Sequence, residues 1–382
     1  MRHWALLLLS LGLAACASAP PPPPHEPLFQ DALFAPPTQP IRAADVFALN
    51  DEMRRYVHDE IAPHARGQGR QRALIDALYK RGQLKLEYDA AMTRNAAQAF
   101  DARAGNCLSL VIMTAAFAKE MGLQVHYQSA YTDETWSRSG DLLFRSGHVN
   151  VTLGGRFIDA GSGQDPTRFT VDFLPPDELR GLRTRAISED TVIAMYMNNR
   201  AAESLADERL DDAYWWAREA IVRSPDFASA YNTLGVVYLR HGERQVAEQV
   251  FLRVLEREPA NTRALANLAQ VAEQLGHAAQ AQALRQQLAR LEPHPPFHFF
   301  HLGRAAMQRG DYAAARELFA KEVARADYYH EFHFWLGLAY FRLGDMELAR
   351  KELNLAMQSS TTRGDHDLYA AKLAWLRSVK AR

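Results

Sequence analysis

The sequence predicts two folded bodies in one chain, an α+β domain over residues 41–190 followed by an all-α solenoid over residues 194–364. Two observations predict them. One apolar run with helical character, Cys107 to Met121, is followed by segments that alternate polar and apolar residues, the period of a strand. Further on, small and apolar residues return at a fixed spacing of 34 residues, the mark of stacked identical units. A length of 382 residues is ample for both cores. A formal net charge of -1 argues against nucleic acid as a partner. After the N-terminus no apolar run reaches the length of a membrane span.

The chain begins as an export segment. Arg2 and His3 precede an apolar core from Trp4 to Leu13, and Leu13-Ala14-Ala15-Cys16 follows. Small residues before a cysteine at that distance resemble a bacterial lipobox. The resemblance implies a signal peptide over residues 1–15, cleavage before Cys16, and acylation of that cysteine. Ala17 in place of an aspartate implies sorting to the outer membrane, with the protein facing the periplasm. Pro20 to Pro24, then Pro27, Pro36, Pro37 and Pro40, make residues 16–40 a stiff polyproline spacer.

In the α+β domain, Val46, Leu49, Met53, Tyr56 and Val57 have helical spacing over Asp45 to Ile61, and a second helix is expected from Gln71 to Tyr79. Asn95 to Phe100 is a short helix. From Cys107 to Met121 the pattern is apolar nearly all round, so this helix is central, and Gly122 ends it. Leu123 to Tyr131 reads as a strand and Thr132 to Ser146 as a polar loop. His148 to Leu153 and Arg156 to Asp159 read as a hairpin closed by Gly154-Gly155.

These elements place a nucleophile. If Cys16 is consumed by lipid, Cys107 is the one remaining thiol. A thiol in the first turn of a helix sits at the positive end of the helix dipole, which favours negative charge there. An imidazole can take its proton, and a carboxylate can orient the imidazole. His148 opens one strand of the expected hairpin and Asp159 ends the other, so Cys107, His148 and Asp159 are the candidate nucleophile, base and orienting acid. His126 reads as structural, Gln98 as a possible helper of an oxyanion, and no ligand spacing supports a metal or cofactor here.

Gly105-Asn106-Cys107-Leu108-Ser109, His148-Val149-Asn150-Val151 and Gly154-Gly155-Arg156-Phe157-Ile158-Asp159 together resemble the transglutaminase-like superfamily of papain-fold cysteine enzymes. The resemblance covers Thr93 to Gly163. It implies an α+β papain/transglutaminase-like fold and acyl transfer at an amide, with a cysteine at the start of the core helix and histidine and aspartate on successive strands. Members often carry Pro-Thr after the aspartate, whereas Ala160-Gly161 follows Asp159 here. Asp165-Pro166-Thr167 is the alternative, and the spacing through Gly154-Gly155 selects Asp159.

From Ala194 the register Tyr231, Leu234, Gly235, Tyr238, Gly242, Ala247, Phe251, Pro259 recurs, as Phe299, Leu302, Gly303, Ala306, Gly310, Ala315, Phe319 in one later unit. It is the pattern of the tetratricopeptide repeat, helix–turn–helix, and five units fit, with residues 365–382 as a capping helix. Phe297, Phe300, Met307, Phe334, Leu338 and Phe341 would line a groove for a protein or peptide, unless the terminal helix folds onto them. His294, His298, His301, His330 and His333 cluster nearby, but no carboxylate or cysteine completes a metal site in the pattern. The expected whole is a lipid-anchored cysteine enzyme whose repeats recruit its substrate. The alternative is a periplasmic scaffold in which both parts serve protein–protein contact.

Overall fold

The computed structural model describes residues 28–382, apart from 81–83, 85, 90–91, 140–141, 155–168, 174–182, 361–362 and 381–382. The expected signal peptide, Cys16, and both Asp159 and Asp165 lie outside the described residues.

Asn50 starts the first helix of the N-terminal domain, its side chain accepting the Met53 N–H at 2.8 Å. Helix α1 (Asp51–Tyr56) runs through a π turn at Val57–Ile61 into α2 (Ala62–Gln68), which stops at Gly69. Helix α3 (Arg70–Ile75) ends in a second π turn, Asp76–Lys80. The pair β1 (Glu87–Tyr88) and β2 (Ala104–Gly105) brackets α4 (Ala96–Ala102) and delivers the chain to α5 (Cys107–Glu120). Every residue of α5 from Leu108 to Ala118 is buried, as an all-round apolar pattern requires.

A four-stranded antiparallel sheet follows, in the order β5-β4-β3-β6. Its strands are β3 (Val125–Ser139), β4 (Leu142–Leu153), β5 (Phe169–Val171) and β6 (Arg183–Ile187). Two expectations change here. Thr132 to Ser146 is the outer part of a β3–β4 ribbon paired down to Ser139 and Leu142, with a register shift between Ala130 and Thr135. Its two threonines, Trp136 and Phe144 are strand formers, so polarity alone misread it. The expected return strand Arg156 to Asp159 lies outside the described residues, and the strand paired with β4 on that side is β5, with Val151 opposite Val171.

No linker separates the domain from the helices. Ser188, directly after β6, caps α6 (Glu189–Ala206), so the expected boundary at residues 190–194 falls within that helix. Five hairpins and a terminal helix follow: α6 with α7 (Leu210–Arg223), α8 (Ala228–His241) with α9 (Arg244–Arg257), α10 (Thr262–Gln274) with α11 (Ala278–Leu291), α12 (His298–Gln308) with α13 (Tyr312–Arg325), α14 (His330–Leu343) with α15 (Met346–Gln358), and α16 (Arg363–Lys380). The expected spacer over residues 16–40 is corrected in its described part: residues 28–40 lie across the first units, because Phe34 and the backbone around it find apolar and polar partners there. Phe34 stacks on Tyr214 at 4.0 Å, and Asp212 accepts both the N–H and the hydroxyl of Thr38 at 2.8 Å.

One continuous core runs from the N-terminal domain through α10, whereas α12–α14 and α14–α16 hold separate clusters. The cause is legible in α11, where only Ala281 is buried. Arg285 stands where neighbouring units place Phe251 and Phe319, both fully buried, and α11 scarcely touches α12. In the well-packed units, glycine is what admits those rings. A Cβ on Gly235 would lie 2.5 Å from Phe251 Cε1, and one on Gly303 would lie 2.6 Å from Phe319 Cε1. Gly235→Val is therefore expected to lose about 1–3 kcal/mol by overpacking, read as a lower midpoint in chemical denaturation. The thinly packed α11 should be the first repeat helix to exchange its amide hydrogens with solvent, ahead of α8.

Candidate functional site

The cysteine end of the site is built on a helix start. Asn106 caps α5, its Oδ1 accepting the N–H and the hydroxyl of Ser109, each at 2.9 Å. Ser109 Oγ in turn accepts the Arg94 N–H at 2.8 Å, and Asn106 Nδ2 donates to Thr93 Oγ1 at 2.9 Å. A Cβ on Gly105 would lie 2.7 Å from Ser109 Cβ, so only glycine can bring β2 this close to the first turn. Cys107, a free and half-buried thiol, is the first residue of the helix.

The histidine end is built on strand register. With Val151 opposite Val171, the next residue out, Asp172, stands beside Asn150. Residues two apart share a face of a strand, so His148 and Asn150 point the same way. His148 is 5% exposed, and its Nε2 lies 2.6 Å from Asp172 Oδ1. Asp172 Oδ2 accepts from Asn150 Nδ2 at 3.0 Å. Turning the Asn150 amide over would set two oxygens against each other, so the carboxylate dictates its orientation. Asn150 Oδ1 is then buried without a partner among the described residues.

With Nε2 committed to Asp172, Nδ1 is the ring nitrogen left for Cys107, which lies near enough to act on the imidazole's charge. Burial works hardest on the imidazole and opposes its charge. Interaction with Asp172 and then with Cys107 outweighs burial and pushes His148 up to about 9. His148 is thus an imidazolium at neutral pH, held between a carboxylate and a thiol. That arrangement can stabilise a thiolate, deliver a proton to a leaving group and take one back.

Of the expected residues, the structure brings Cys107 and His148 together. The carboxylate that His148 meets is Asp172, a residue that sequence reasoning passed over. Its signal was the alternation Phe169-Thr170-Val171 ahead of an acid, which the stronger turn signal at Gly154-Gly155 masked. Gln98 is occupied elsewhere: it completes the capping box of α4, accepting the Asn95 N–H at 3.2 Å. A polar cavity of about 200 Å³ lined by Gln98, Arg200 and Trp216, among others, does not reach Cys107.

The expected groove in the last repeats is corrected. Phe297 and Phe300 are buried in the core of α12–α14, with Met307 packed against it. Helix α16 covers two more: Tyr369 stacks on Phe334 at 4.9 Å and Trp375 meets Phe341 at 5.2 Å, while Leu338 is half-buried. A helix end with apolar residues finds its cover in its own chain more cheaply than in a second molecule. Two of the nearby histidines are tied locally. His333 bridges Glu352 at 2.6 Å and the Asp327 carbonyl at 2.8 Å, and His330 meets the Tyr369 hydroxyl at 2.7 Å.

Against known proteins, the tetratricopeptide repeat family matches residues 232–295 and 300–363. The two matched blocks part at the α11–α12 junction, where the core is interrupted. Among solved structures, YrrB, described as a TPR protein with an unusual peptide-binding site, is 21% identical, over 47% of this chain and 92% of its own, with a TM-score of 0.26. A thermophilic TPR protein of Thermus thermophilus is 18% identical over 47% and 99%, with a TM-score of 0.31. PilF of Pseudomonas aeruginosa is 19% identical over 49% and 86%, also at 0.31. No curated protein sequence is significantly similar to this chain. The C-terminal part of the chain carries tetratricopeptide repeats, a fold built for binding proteins or peptides.

Proposed function

We propose that the chain is a transglutaminase-like cysteine enzyme that transfers an acyl group from an amide of a protein or peptide, and that its repeats recruit that substrate. The observation that carries this reading is the pairing of His148 with Asp172 on one side and Cys107 on the other. Cys107 Sγ attacks the amide carbon, and the Cys107 backbone N–H faces the developing oxyanion. The C–N bond breaks as His148 protonates the leaving amine, which leaves a thioester. His148 then takes a proton from water or a second amine, the new C–O or C–N bond forms, and Cys107 is released. Asp172 holds the imidazole and stabilises its charge throughout, with Asn150 fixing Asp172. We also propose, from Leu13-Ala14-Ala15-Cys16 and the proline run after it, acylation at Cys16 and an outer-membrane, periplasm-facing location.

A second reading is favoured by the repeat match, which speaks directly for interaction and not for catalysis: a scaffold whose cysteine domain is a binding module. Thiol alkylation separates the two. Under the enzyme reading, Cys107 reacts with iodoacetamide at pH 6 at least about tenfold faster in the wild type than in His148→Ala, because the imidazolium holds the thiolate. Equal rates leave the scaffold.

The His148 interaction also sets a pH dependence of stability. His148 keeps its proton up to about 9 when folded, above its ordinary value of 6.5, so its contribution is complete below about 6.5 and lost as pH rises through about 9. The gap in melting temperature between wild type and Asp172→Asn should be widest below pH 6.5 and narrow above pH 9.

A further inference from the structure

In the first three repeats one position repeats a polar contact. Thr233 donates to Asn198 at 2.7 Å, and Asn267, 34 residues on, donates to Asn232 at 3.1 Å. Each contact ties an A helix, the first of its hairpin, to the A helix of the preceding unit. Asn199 is the same position in the first unit, 34 residues before Thr233, and the element that leads into its helix is β6 of the N-terminal domain. Its Nδ2 donates instead to Thr93 Oγ1 at 3.2 Å, in the N-terminal domain. Glu203, one turn further along α6, accepts the Thr93 N–H at 2.6 Å while its other oxygen holds Arg200 at 2.8 Å.

Thr93 is 1% exposed and belongs to the cysteine end of the site. Its hydroxyl accepts from Asn106, the residue that caps α5 immediately before Cys107, as well as from Asn199. The first repeat helix is therefore two hydrogen bonds from the backbone that aims the thiol. Helix α6 is held to the same domain at its other end, where Glu189 accepts from Lys119 and from the Tyr127 hydroxyl.

We propose that Asn199 and Glu203 of the first repeat are positioning residues for Cys107, acting through the Thr93–Asn106 cap, so that the polar ladder of the repeats ends at the nucleophile. The N-terminal domain takes the place of a preceding repeat, and the solenoid is part of the scaffold of the site as well as a recruiting arm. This rests on the cysteine reading above. It adds that reactivity of Cys107 depends on residues of α6 that touch neither the thiol nor His148.

The test is the rate of iodoacetamide alkylation of Cys107 from pH 5 to 9 in the full chain. Asn199→Ala and Thr93→Val are expected to lower the rate at pH 6 by about tenfold, since a small misplacement of a reacting group costs that much or more. Thr93→Ser keeps the hydroxyl and should react as the wild type does. Asn267→Ala, which breaks the same kind of contact two repeats away, should also leave the profile unchanged. Wild-type profiles in both Asn199→Ala and Thr93→Val would overturn the proposal while leaving the cysteine reading intact. A wild type that reacts no faster than His148→Ala at pH 6 would overturn both. If Thr93→Val fails to fold, Asn199→Ala alone decides, with circular dichroism and the melting temperature as the check that it is native.

Discussion

The arrangement depends on where one helix begins. Asn106 ends an extended stretch and starts α5 in a single residue, and this puts Cys107 at the dipole's positive end instead of in the apolar middle three residues on. Everything around the cap serves that start. Gly105 admits the turn, Ser109 answers the cap from inside the helix, and Thr93 holds the asparagine amide from outside. Because Leu108 to Ala118 are buried, α5 cannot slide or rotate without disturbing the core of the domain. The sheet then has one task at this end, to bring an imidazole to a fixed point. It does so with His148 on a strand paired on both sides, to β3 through Ala130 and to the short β5 that delivers Asp172.

How much of this was legible in the sequence differed by element, for physical reasons. The α5 helix and Cys107 were readable because an all-apolar helix entered through Gly-Asn has few alternatives. His148 was readable from the alternation of its strand. The third member was not, because a strand's partner is a long-range choice. Gly154-Gly155 gave a strong local turn signal, and nothing local shows that residues 169–171 take the place beside Val151. The outer ribbon was misread for a related reason, since its strand pairing is not local and its polar composition looks like that of a loop. The repeats were the most legible part, their register being written many times over. The same register hid the interruption at Arg285, which matters through a missing ring at one position and not through the spacing.

That interruption divides the solenoid physically. Stacked repeats transmit rigidity only through neighbour packing. Up to α10 the buried residues are continuous with those around Cys107, so these units behave as an extension of the N-terminal domain. Beyond α11 the clusters are separate, and the last is closed by Leu373 and Leu376 of α16. Segments 28–40 add to the proximal body by crossing α7 and α8, where Tyr238 donates to the Leu28 carbonyl and accepts the Gln30 N–H.

Under the proposed function, the repeats face two opposed demands. They must hold the nucleophile's surroundings still, because a thiol misdirected by an ångström loses its base. They must also reach partners of varied size, which favours loose joints. This chain meets them in different units. The first repeat shares a core and a buried hydrogen-bond chain with the cysteine cap, and its helix begins where the sheet ends, with no linker to flex. The fourth and fifth have their own core and their own cap. At the boundary between the two bodies stands an arginine where the neighbouring units hold a phenylalanine. Ala281 is the one buried residue left on α11, so little apolar area remains there to fuse the two bodies.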